Sequence, residues 1–125
     1  MRNVLAALAI CSICQASLAA GKVTYLSCPE LDKRADDLLI VLDQQGGTAS
    51  VQSKKSGSGL NFTSPASFGP EEVTWRSDSA SYAQLYSVNR ESLMLKRETT
   101  SAMSGTVYNA TSNCSIVKAP QSNKF

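Results

Sequence analysis

The chain has 125 residues, 12 Lys and Arg against 10 Asp and Glu, and no histidine. A formal charge of +2 with only isolated basic doublets lacks the basic stripe of nucleic-acid binders, so no nucleic-acid partner is expected. Without imidazole there is no Ser-His or Cys-His nucleophile and no histidine metal site, and neither a metal nor a cofactor is expected.

The opening stretch MRNVLAALAICSICQASLAA places a positive charge at Arg2, an apolar run from Val4 to Cys14, and small residues at Ser17, Ala19 and Ala20. That is the layout of a secretory signal peptide cleaved after Ala19 or Ala20. The run is too short for a bilayer-crossing helix, which needs about 20 apolar residues. A lipid-modified cysteine would follow a small residue, but Ile10 and Ile13 precede Cys11 and Cys14. The expected organisation is a signal peptide at 1–20, one β-domain at 21–118 and a flexible tail at 119–125. The mature protein is expected in the periplasm or secreted, with no stable membrane anchor. Cleavage leaves Cys28 and Cys114, an even pair read as one disulfide in an oxidising compartment.

Short alternating apolar runs separated by turn residues then follow along the chain. VTYLSC (Val23–Cys28) is the first strand candidate, and CPELDKRADDL is the one helical candidate, with Pro29 in its first turn. DLLIVLD (Asp37–Asp43) is a stronger strand, and Gly46-Gly47 supplies a hairpin turn into TASVQS. SKKSGSG reads as a loop, GLNFTS as a strand, FGP as a break and EEVTWRS as the next strand. GTVYNATSNCSIV is a last long strand, and KAPQSNKF is the tail. The expected fold is all-β, a small antiparallel barrel or roll of seven to eight short strands. A Cys28–Cys114 bridge would join its two ends and remove exposed edges.

YAQLYSVNRESLMLKRE (Tyr82–Glu98) reads as two strands about a four-residue loop, Asn89 to Ser92. Val88 then faces Leu93, Tyr86 faces Leu95 and Gln84 faces Arg97. Tyr86, Val88, Leu93 and Leu95 share one face, because strand side chains alternate. Arg90 stands at the tip, pointing to solvent or folding back over an aromatic ring. The carboxylate doublets Asp36-Asp37 and Glu71-Glu72 would point to opposite faces in a strand and so do not converge on one substrate. No catalytic residue is expected, and the chain is read as a non-enzyme.

Trp75, Tyr82 or Tyr86, Asn89-Arg90, Leu93-Leu95 and Cys114 follow an order similar to that of a set of small exported proteobacterial β-proteins. That resemblance covers roughly the C-terminal half and implies the fold. YLSC and KKSGSGLNF also resemble the periplasmic or membrane-bound inhibitors of C-type lysozymes, small antiparallel barrels with a disulfide and a Ser-Gly loop that enters the lysozyme cleft. Leu60-Asn61-Phe62 stands where those inhibitors commonly place a Tyr, and VTWRSD lacks their Trp-x-Lys-Gly run. This second resemblance implies an envelope protein or lysozyme-like enzyme as partner, with Lys54, Lys55, Ser56 and Ser58 as contact residues; should the loop not carry the contact, Arg90 at the hairpin tip is the next candidate. The alternative expectation is an exported domain of structural or stress-related role with no cognate enzyme.

Overall fold

A computed structural model describes residues 22–55 and 60–120. The expected signal segment, Ser56, Ser58 and the last five residues lie outside the described residues. Nine strands follow in chain order: β1 (Val23–Ser27), β2 (Leu39–Asp43), β3 (Thr48–Gln52), β4 (Phe62–Phe68), β5 (Glu72–Asp78), β6 (Tyr82–Asn89), β7 (Met94–Ser101), β8 (Val107–Asn113) and β9 (Ser115–Val117). Each pairs antiparallel with the next, except that β9 pairs with β1, giving the order β8-β7-β6-β5-β4-β3-β2-β1-β9. Because β8 and β9 are separated only by Cys114, the sheet comes back on itself as a nearly closed barrel.

The count exceeds the expected seven to eight because the last long strand changes neighbour partway along. Residues 107–113 pair with β7, whereas residues 115–117 pair with β1. Its counterpart is β4, where residues 62–65 pair with β3 and residues 66–68 pair with β5. Pro65 sits at that handover, where its missing N–H does least harm to either ladder. The next residue, Ala66, donates its N–H to the carbonyl of Gly47 at 2.9 Å. Two strands are thus shared between two arcs of sheet, with corners at Pro65 and Cys114. The expected disulfide closes the second corner: Cys28 and Cys114 are bonded, with Cα atoms 4.4 Å apart. A bridge of this kind belongs to an oxidising compartment outside the cytoplasm. Among the described residues no helix is long and apolar enough to cross a membrane.

Alternation fills the barrel. Leu26, Ile40, Leu42, Ala49, Val51, Val73, Trp75, Tyr86, Val88 and Leu95 are all buried on its inner side. Trp75 and Tyr86 are direct cross-strand partners, stacked with ring centroids 5.3 Å apart, and Phe62 meets Tyr86 at 5.8 Å. Such pairs contribute about 0.5–1.5 kcal/mol beyond the area they bury.

The connection from Cys28 to Leu38 covers one mouth of the barrel with Leu31, Ala35 and Leu38. Here the helical expectation fails, for the segment is a series of turns. Asp32 bends it: its Oδ1 accepts the backbone N–H of Arg34 at 3.0 Å, and its carbonyl accepts that of Ala35. A side chain that captures nearby backbone donors in this way competes with helical hydrogen bonds.

The hairpin of β6 and β7 keeps the expected face but not the expected register. Tyr86, Val88 and Leu95 are buried while Leu85 and Met94 are exposed. Val88 pairs with Leu95, Tyr86 with Arg97 and Gln84 with Thr99, two residues away from expectation. The loop is Arg90 to Leu93, one position later than expected. Leu93 takes φ 62°, the left-handed conformation that ends such a loop, and so cannot serve as Val88's ladder partner. Asn89 organises the bend, its Oδ1 accepting the N–H groups of Glu91 and Ser92, both at 2.8 Å. Asn89→Ala should therefore cost about 1 kcal/mol, measured by urea titration. An unchanged midpoint would mean that the backbone turn needs no side-chain support.

Candidate functional site

In an up-and-down meander, connections alternate between the two ends of the barrel. The 53–61 connection shares one end with the 28–38 cap, while the turns at 44–47, 69–71 and 90–93 share the other. Lys54 and Lys55 are thus at the end opposite Arg90, and the structure does not bring these expected contact residues into one site.

At the first end, a hydrogen-bonded base holds the loop. Ser53 Oγ donates to Asp37 Oδ1 at 2.7 Å, and the Lys54 N–H donates to Asp37 Oδ2 at 2.8 Å. Asn61 faces Ser53 across the loop's base, its Oδ1 accepting the Ser53 N–H and its Nδ2 donating to the Ser53 carbonyl. The Ser53 hydroxyl, then the Lys54 amide, hold the Asp37 carboxyl below its ordinary value. Asp36 pairs instead with the Lys55 ammonium at 3.3 Å. The two carboxylates of this doublet therefore face different partners.

Beside this base lies an open groove of about 670 Å³, with Leu39, Phe62 and Pro120 on its apolar side and Asp37, Lys54 and Asn61 on its polar side. Lys54 has no ion-pair partner among the described residues, whereas Lys55 is already paired. The sequence marked Lys54 through the composition of its loop. It did not mark Phe62, Leu39 or Pro120, because three separate stretches of chain build that wall. GLNFTS reads only as a strand, with no face assigned to Phe62.

At the second end, Arg90 is committed to the fold. Its N–H donates to the Glu71 carbonyl at 2.8 Å, and its Nη1 donates to the Gly69 carbonyl at 2.7 Å. The side chain is exposed, as one of the two expectations had it, while its Nη1 ties one hairpin tip to the neighbouring turn. A smaller hollow of about 340 Å³ lies beside it, with Phe68, Leu93 and Ile116 among its lining.

At the capped mouth a charged cluster gathers on the buried Asp32. Asp32 is 9% exposed and accepts from Arg34 Nη2 at 2.8 Å and from Arg97 Nη1 at 3.3 Å. Arg34 foremost holds the Asp32 carboxyl far below the usual carboxylate range, against the opposing effect of burial. Burial pushes the Tyr86 phenol up, and the nearby Arg97 pulls it back. Tyr86 Oη and Arg97 Nε have no hydrogen-bond partner among the described residues. The cluster fastens the cap to β7 from inside the barrel.

Among the described residues these features define a small, nearly closed antiparallel barrel with a disulfide and an open groove beside a hydrogen-bonded loop base. No family model matches the chain, and no curated protein or solved structure matches it either.

Proposed function

We propose that the chain is an exported, non-catalytic binding module of the cell envelope, periplasmic or secreted, that holds a partner protein in the groove beside the 53–61 connection. Inhibition of lysozyme or a related envelope-targeting enzyme is its concrete form. The observation that carries this reading is the pairing of an apolar groove with a loop base fixed by Asp37, Ser53 and Asn61. A fixed base lowers the ordering cost that a loop meets on binding. Lys54 stands on the rim with its ammonium unpaired among the described residues, and a glycosidase cleft offers the carboxylate pair that would receive it. A buried bond to a charged group contributes about 1.5–3 kcal/mol, or roughly ten- to over a hundredfold in affinity.

The test is inhibition of C-type lysozyme by the disulfide-bonded protein and by the Lys54→Ala/Lys55→Ala/Ser56→Ala variant. The variant should inhibit at least about tenfold more weakly. No inhibition by the wild-type protein at micromolar concentration removes the lysozyme reading. Equal inhibition by both proteins moves the site elsewhere, with the Arg90 tip next in line.

A second reading, an exported domain of structural or stress-related role, draws on the internal use of two of the named cations. Lys55 is paired with Asp36 and Arg90 is bonded to Gly69. A pull-down from envelope extract that retains no protein on the wild-type domain would favour this reading.

A further inference from the structure

β8 carries an unguarded edge. Cys114 donates its N–H to the carbonyl of Leu93, and Ser101 donates its N–H to the carbonyl of Thr106. These bonds fix the phase of the β7–β8 ladder: Leu95 with Ser112, Arg97 with Ala110 and Thr99 with Tyr108 are its hydrogen-bonded pairs. The backbone groups of Val107, Asn109, Thr111 and Asn113 therefore point away from β7. Asn113 is covered, its N–H donating to Glu30 Oε1 at 3.1 Å from the cap. Val107, Asn109 and Thr111 have no such cover among the described residues, because β9 takes over the pairing with β1 only from Ser115.

Edges left open in monomers are usually blunted by a charge, a proline or a bulge. Between Gly105 and Val117 the chain has no charged residue and no proline. Val107 is 50% exposed and Tyr108 57% exposed, so the edge presents apolar surface on both faces of the sheet.

We propose that β8 is a homodimerisation edge, pairing antiparallel with β8 of a second copy across a two-fold axis at Asn109. Self-pairing fits because the free groups sit at alternate positions about Asn109. Val107 meets Thr111 of the second copy, Asn109 meets its own equivalent, and Thr111 meets Val107. These three pairs each exchange two bonds, about six in all. In the same register Tyr108 of each copy covers Ala110 of the other. The two-fold sets no like charges opposite one another, since the strand has none. An isologous contact of this kind closes after two copies and does not propagate.

Sedimentation equilibrium of the disulfide-bonded protein tests the proposal, together with Asn109→Lys. That substitution sets two ammonium groups against each other on the axis, and because the N–H and C=O of residue 109 face away from its ladder partner Glu98, the hydrogen bonds to β7 are untouched. The wild-type protein should be dimeric at micromolar concentration, and the variant should dimerise at least about tenfold more weakly with an unchanged melting temperature. Amide exchange at Val107, Asn109 and Thr111 should slow as wild-type concentration rises, while Tyr108 and Ala110, already bonded to β7, should not change. A wild-type monomer throughout the micromolar range overturns the proposal, as does a dimer that Asn109→Lys leaves intact or one whose concentration-dependent protection lies elsewhere.

Discussion

Reducing the Cys28–Cys114 bridge, or replacing both cysteines by alanine, should destabilise the protein by about 4–5 kcal/mol in the chain-entropy description of a crosslink spanning 86 residues. For a domain of this size that is a fall in melting temperature on the order of 20–30 °C. The effect is large because of what the bridge holds. β9 has only three residues, all exposed, so its ladder with β1 is a weak clasp for closing a barrel. Beside it, Glu30 reaches across to β8, with its N–H donating to Ser112 Oγ and its carboxylate accepting from Asn113. Those bonds form only if Cys28 and Cys114 hold the cap against the seam. Amide exchange should therefore report the loss first at Ser115–Val117 and Asn113, before the β5–β6–β7 ladders respond. A melting temperature insensitive to reductant, in protein whose thiols have been shown to be released, would mean that the ladders alone close the seam.

What could be read from the residues was the parity of each strand, more than its pairing. Tyr86, Val88, Leu93 and Leu95 were placed on one shared face because a period of two leaves little choice once one face is apolar. The same pattern cannot tell a register from one shifted by two, which keeps every face intact. That choice was made by the Asn89 side chain and the left-handed Leu93, which move the four-residue bend one position along the chain. Cys28 and Cys114 were legible as a pair because cleavage would leave no others. The corner at Pro65 was not, since proline inside an alternating run argues against a strand unless a neighbour changes there. In the candidate site, the Lys-Ser-Gly composition of the loop was local and visible. The groove wall was not, because Leu39 and Phe62 meet only after β2, β3 and β4 have paired, and Pro120, three residues beyond β9, joins them only once β9 has paired with β1.

The charged cluster under the cap was equally hidden, joining residues 65 apart in the chain, and it carries the second large expectation. Asp32→Asn should cost about 3 kcal/mol near neutral pH, because it leaves Arg97, 14% exposed at its side chain, without its countercharge. The pH dependence has a definite sign. The folded Asp32 carboxyl titrates far below its unfolded value, which is near 4, so the folded state favours the ionised form. That stabilisation is fully present above about pH 5 and is lost progressively as pH falls through 4 and below. Urea titrations stepped from neutral pH down to about pH 2 should show a steep acid limb in the wild-type protein and a shallower one in Asp32→Asn. Asp37, also held below its ordinary value, leaves a residual slope in both proteins. A second comparison separates the charge pair from packing. Asp32→Leu with Arg97→Met should be less destabilised than the two single changes predict together, because removing both charges leaves neither one buried alone. Parallel acid limbs in wild type and Asp32→Asn would show that the cap is held by Leu31, Ala35 and Leu38, with the ion pair a bystander.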